Sequence, residues 1–136
     1  MRKRNSFLQY LPILISAILL CIHFLFFTRN EKCLALNEGL AFGLFSLQSN
    51  TLVNILSISS FALFLISALL SVKRIQKSFL FMIAFLSLGN IFDRVGDGVC
   101  DYIAISSLPV FNLLDLGIVI GICLIIADII WEIWRE

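Results

Sequence analysis

Carboxylates gather in one stretch of an otherwise apolar chain. Asp93, Asp97, Asp101 and Asp115 follow one another closely, interleaved with Asn90, Arg94 and Asn112. A charged side chain at the centre of a membrane helix costs about 2.5–3.5 kcal/mol on insertion scales, so carboxylates kept in such a setting are usually put to use. Two carboxyl groups a few ångströms apart cannot both ionise easily and share a proton. One can then take a proton from water as general base while the other polarises a carbonyl as acid. This is the chemistry of aspartyl proteolysis, and its apparent pKa values belong to the pair. Asp115 and Asp101 are the candidates. Asn112 precedes Asp115 by one helical turn, where an amide can orient a carboxylate by hydrogen bonding. Taken alone, Asp115 could equally cap a helix and Asp101 be a solvated loop residue. Asp97 rivals Asp101, but Val95-Gly96-Asp97-Gly98 reads as a turn.

The elements that must hold these residues are membrane helices. Hydrophobic residues make up 60% of the 136 and charged residues only 14%, with mean hydropathy +1.03. Soluble domains are nearer half apolar, so the chain reads as an integral membrane protein with a single domain, 1–136. The apolar runs predict an all-α membrane protein with four transmembrane helices, near 7–27, 52–72, 79–92 and 111–134, and a small extracytoplasmic loop region with room for some β structure. The third run is short for a span. The basic start and first run have the outline of a signal peptide, but the run is long enough to span and ends without a small-residue cleavage site, which favours a retained helix. Ser57, Ser59, Ser60, Ser67 and Ser71 in the second run suit close helix contacts.

Basic residues mark one side. Arg2, Lys3 and Arg4, then Lys73, Arg74 and Lys77, then Arg135 fall before, between and after the runs, and the positive-inside rule puts all three segments in the cytoplasm. Trp131 and Trp134 suit the inner interfacial belt. The loops 28–50 and 93–110, with the acidic cluster, then share the outer face. Asp128 lies about 20 Å along the fourth helix from Asp115 and cannot join them. Cys33 and Cys100 fall in the two outer loops, where a disulfide is one open possibility. With no Cys-x-x-Cys and a single histidine, His23, a zinc site is not expected. His23 reads as a packed or interfacial histidine. The net charge of +1 gives no sign of nucleic acid.

Four blocks occur in order: Asn37-Glu38-Gly39-Leu40-Ala41-Phe42, Gly89-Asn90-Ile91-Phe92-Asp93-Arg94, Val99-Cys100-Asp101-Tyr102 and Phe111-Asn112-Leu113-Leu114-Asp115. In order and membrane side they resemble the signal peptidase II family, whose blocks run roughly Asn-x-Gly-x-Ala-Phe, Gly-Asn-x-x-Asp-Arg, Val-x-Asp-Phe and Phe-Asn-x-Ala-Asp. The resemblance covers the C-terminal three-quarters of the chain and is specific as a set, though no single block would be. It implies a membrane aspartyl endopeptidase of the bacterial cytoplasmic (inner) membrane, with both termini cytoplasmic. Its partners would be membrane lipids and a lipid-modified prolipoprotein, cut before the diacylglyceryl-modified cysteine. It implies Asp101 and Asp115 as the catalytic pair, and Asn37, Asn90, Asp93, Arg94 and Asn112 as supporting or substrate-binding residues. Asp93 and Arg94 would form a buried ion pair or network, with Arg94 also suited to a lipid phosphate. No metal or organic cofactor is implied. Three departures stand out. The family's Asp-x-x-x-Lys of span one is replaced by His23 and Phe27, with Arg29 and Lys32 as possible substitutes. Leu114 stands where an alanine is usual, and the outer loop is shortened. These departures motivate the alternative of a non-catalytic relative that binds lipidated peptides, or a small membrane adaptor.

Overall fold

The computed structural model describes residues 9–27, 33–37, 50–95 and 98–135. Along the chain run α1 (Leu11–Phe27), β1 (Ala35–Asn37), α2 (Asn50–Leu70), α3 (Arg74–Val95), β2 (Val99–Asp101) and α4 (Leu113–Ile133). By length and apolar composition α2, α3 and α4 can each cross a membrane, and α1 is apolar but shorter. The 21 residues of α4 rise about 30 Å, the thickness of the hydrocarbon core. Leu63, Ile66 and Leu70 on α2 and Ile120, Leu124 and Ile130 on α4 are exposed. Such faces suit lipid.

Helix boundaries differ from those expected, most informatively at the starts of α3 and α4. α3 is a full-length helix of 22 residues and not a short run over 79–92. Arg74, Gln76 and Lys77 are good helix formers, so the helix continues where apolarity stops. Two polar side chains at this end find partners on α4. Lys73, just before α3, forms an ion pair with Glu132, and Gln76 Nε2 donates to Asp128 Oδ2 at 3.0 Å. Asp128 thus stays at the end of the bundle away from the acidic cluster. α4 starts at Leu113 and not at 111, because Asn112 caps it and Phe111 pairs with Ile103 in an isolated bridge. The serines of α2 behave differently from expectation as well. Ser59 and Ser60 are exposed. Ser57 and Ser60 donate to the carbonyls of Val53 and Leu56 at 2.9 and 2.8 Å, which satisfies the hydroxyls within their own helix.

α3 is the hub, packing against α1, α2 and α4. The core at its middle joins Met82 and Leu86 to Leu114, with Leu19, Leu20, Phe79 and Ile118 around them. Glycine permits the close approach. A Cβ on Gly89 would lie 2.6 Å from a Leu20 methyl and 2.7 Å from one of Leu114, and a Cβ on Gly117 would lie 2.5 Å from Leu86. Small residues at such crossings are how membrane helices come together.

Beyond the ends of α1 and α3, β1 and β2 pair antiparallel, with Ala35 opposite Asp101 and Asn37 opposite Val99. Gly98 enters β2 at φ 110°, a conformation that favours glycine. Cys33 and Cys100 are disulfide-bonded with Cα atoms 5.4 Å apart, while Cys21 and Cys123 are free. Denatured, unreduced protein should therefore take up alkylating reagent at Cys21 and Cys123 only, and at Cys33 and Cys100 as well after reduction. Peptide mapping of the alkylated sites checks this. Full alkylation without reductant would contradict the cross-link.

Candidate active site

The site is assembled where the sheet meets the ends of α3 and α4. Asp101, the last residue of β2, is 2% exposed. Its Oδ2 accepts from Asn37 Nδ2 at 2.9 Å and its Oδ1 from Asn112 Nδ2 at 2.8 Å. Asp115, in the first turn of α4, accepts from Asn90 Nδ2 at 2.8 Å through Oδ1. Asn112 Nδ2 also reaches Asn90 Oδ1 at 3.5 Å. The amides thus form a row, Asn37 to Asp101 to Asn112 to Asn90 to Asp115, that ties the two carboxyl groups into one network. Asn90 lies on α3, Asn112 and Asp115 on α4, and Asn37 and Asp101 on the sheet.

Asn112 does more than align a neighbour, and its carboxylate partner is not the one its spacing suggests. As N-cap, with φ −119° and ψ 174°, it turns Oδ1 onto the backbone N–H groups of Leu114 and Asp115, at 2.9 and 3.0 Å. Its Nδ2 is left for Asp101. The side-chain amide that donates to the Asp115 carboxyl is that of Asn90, and the backbone N–H of Asn112 donates to it as well. Asn112 holds the cap position, and Asp115, three residues on, bonds back to its backbone N–H.

Burial raises the pKa of Asp101 to about 6, and the charge of Asp115 adds to the rise. The Asn112 and Asn37 hydrogen bonds and the Arg94 guanidinium oppose it, because each favours the charged form. The Arg94 guanidinium interacts electrostatically with Asp115, Asp101 and Asp93. Among the described residues no direct ion pair joins Asp93 to Arg94, so of the expected pair or network the two share only the wider network. Asp93 is bonded instead to His23, Oδ2 to Nε2 at 2.5 Å, and its Oδ1 has no hydrogen-bond partner among the described residues. His23 is fully buried and its Nδ1 lies 3.1 Å from the Tyr102 hydroxyl. The backbone N–H of Leu113 donates to that same hydroxyl at 3.3 Å. Burial also holds the Tyr102 hydroxyl above its ordinary pKa, so near neutral pH it keeps its proton. Among the described residues no group of three or more His, Cys, Asp or Glu is placed to hold a metal ion.

Residues 30–131 match the family model described as Signal peptidase (SPase) II. The chain belongs to the signal peptidase II family. All the candidate site residues from Asn37 to Asp115 lie inside the matched region. A lipoprotein signal peptidase of Pelagibacter ubique (strain HTCC1062) is 34% identical over 104 residues, which covers 71% of this chain and 63% of that relative. The chain thus spans less than two thirds of the relative's length. No solved structure matches the chain. The apolar helices and the signal peptidase II assignment together fit a multi-pass membrane protein.

Against the signal peptidase II pattern, the departures can now be located. Leu114 does not crowd the site. Its side chain is fully buried in the helix core against Gly89. His23, which precedes the matched region, is drawn into the site's hydrogen-bond network and is not merely packed. Tyr102 joins it. Neither was placed in the site from sequence, where His23 read as packed or interfacial, although the block Val99-Cys100-Asp101-Tyr102 contains the tyrosine. The available signal was a lone histidine in an apolar run, where a titratable side chain needs a partner. Arg29, Lys32 and Asp97 lie outside the described residues.

Proposed function

We propose that this protein is a membrane aspartyl endopeptidase that removes the signal peptide from diacylglyceryl-modified prolipoproteins, cutting the peptide bond before the lipidated cysteine. The observation that carries the reading is the convergence of Asp101 and Asp115 on one row of asparagine amides. Family membership and the lipoprotein signal peptidase relative support the substrate class.

In this mechanism one carboxyl of the pair is ionised and takes a proton from water. The water oxygen attacks the scissile carbonyl, whose oxygen receives a hydrogen bond from the other, protonated carboxyl. The tetrahedral intermediate collapses with breakage of the C–N bond, and the pair returns a proton to the leaving nitrogen. The products are a free signal-peptide carboxylate and a lipidated cysteine with a free amino group. Asn37, Asn90 and Asn112 hold the carboxyl groups, and Arg94 limits the repulsion between them. In the membrane orientation given by the basic segments the pair lies at the extracytoplasmic face, in the fourth-span end opposite Trp131 and Arg135. There the acyl chains stay in lipid while the bond meets water.

Purified protein mixed with a diacylglyceryl-cysteine peptide tests the reading. A shorter peptide ending before the modified cysteine is expected. Saturable binding without any product would favour the non-catalytic relative that the His23 and Phe27 departures suggest.

The same assay predicts a pH profile. The pair works while it holds one proton, so the rate should fall as pH rises through about 6, where Asp101 loses its proton. Arg94 favours ionised Asp101. In Arg94→Gln that influence is gone, the pKa rises further, and the alkaline limb should move to higher pH. A limb that stays put or moves lower would show that Arg94 does not act on the pair.

A further inference from the structure

We propose that His23 is a positioning residue for the two carboxyl groups, acting through Tyr102 and anchored by Asp93; this rests on the aspartyl reading above. The geometry is convergent. His23 comes from α1, outside the matched family region, and is fully buried. One ring nitrogen meets Asp93 of α3 and the other meets the Tyr102 hydroxyl. Tyr102 directly follows Asp101 in the chain, and its hydroxyl also receives the N–H of Leu113, the first residue of α4 and neighbour of the cap Asn112. One histidine therefore bears on the strand that carries Asp101 and on the helix start that carries Asp115. Neither bond touches a carboxyl oxygen of the pair.

The chemistry is self-consistent. A proton on Nε2 lets the ring donate to Asp93 and accept the Tyr102 hydroxyl proton at Nδ1, while the tyrosine oxygen accepts from Leu113. Asp93 is an acceptor fixed on α3, one turn from Asn90, which donates to Asp115. The result is a second connection among α1, α3, the sheet and α4, running beside the amide row. The row holds the carboxyl groups themselves, and the His23 connection fixes the backbone segments that bear them. Its loss would let the segments shift relative to each other with the carboxyl groups and amides chemically unchanged. A misplacement of about 1 Å can cost on the order of 100-fold in rate.

The test uses full-length protein in detergent and a diacylglyceryl-cysteine peptide. Tyr102→Phe removes the hydroxyl link and leaves His23 on Asp93, so the buried pair survives. Its kcat per folded molecule should fall on the order of tenfold or more with KM little changed. His23→Ala should do at least as badly, and His23→Gln, which keeps one donor and one acceptor, should recover part of the loss. The double variant Tyr102→Phe with His23→Gln should be little worse than Tyr102→Phe alone, because the two residues form one connection. Wild-type kcat in Tyr102→Phe would overturn the proposal. So would fully additive losses, or a lower melting temperature with unchanged kcat per folded molecule, or an effect on KM alone. Asp101→Asn and Asp115→Asn run in the same assay keep the two ideas apart. If these are inactive while Tyr102→Phe is normal, only the positioning role is lost. If they cleave normally, the aspartyl reading itself is lost.

Discussion

Asp101→Asn and Asp115→Asn should each reduce prolipoprotein cleavage to background while protein still accumulates in the membrane. Asparagine keeps the size of the side chain and removes its proton chemistry, so each change leaves water without a base or the carbonyl without its acid. The double variant should be little worse than either single one, since residues that act as a unit are not additive. Asp97→Asn, a turn position by sequence, should retain substantial activity. Precursor processing at matched protein level is the measurement. Processing by Asp115→Asn would remove the mechanism, and loss confined to Asp97→Asn would move the base to the other loop carboxylate.

Asn112→Asp is the second substitution with a large expected effect, and it separates the two jobs of one side chain. Aspartate caps a helix about as well as asparagine, so α4 should stay intact. The amide that donates to Asp101 Oδ1 at 2.8 Å becomes a third carboxylate in the same cluster. Repulsion then favours the protonated form of Asp101, whose pKa rises further above about 6. Cleavage should fall on the order of 100-fold, a loss as large as that of one oxyanion-hole donor. By contrast Asn112→Ala loses the cap as well, at about 1 kcal/mol, and should lower the melting temperature too. Near-normal cleavage by Asn112→Asp, with the protein folded, would mean that this amide does not govern Asp101.

The helices and the candidate residues were legible because their signals are local. Apolar runs gave each helix, and Asn90, Asp93 and Arg94 share one face of α3 by their spacing alone. What escaped depended on contacts across the chain. Nothing in Ala35–Asn37 or Val99–Asp101 alternates long enough to announce a strand, and their pairing needs the ends of α1 and α3 to come together. The start of α3 was hidden because Lys73, Arg74 and Lys77 look like a turn until Glu132 and Asp128 supply partners for Lys73 and Gln76. The bond between His23 and Asp93 joins residues 70 apart in sequence, and adjacency made Arg94 the natural guess for the partner of Asp93. Asn112 misled for a related reason. Spacing places it near Asp115, but the capping geometry decides which end of the amide faces which group.

The contact of Gly89 with Leu114 has a consequence for how Asn90 meets Asp115. Gly89 precedes Asn90 and Leu114 precedes Asp115, so the separation of α3 and α4 at the level of the polar row equals the thickness of one leucine side chain laid against a bare backbone. The reach from the Asn90 amide to the Asp115 carboxyl is thereby gauged by hydrocarbon. Changes made wholly within the apolar seam, such as a smaller side chain at Leu114 or a methyl at Gly89, will retune the bond between Asn90 and Asp115 from beneath without altering a single polar group.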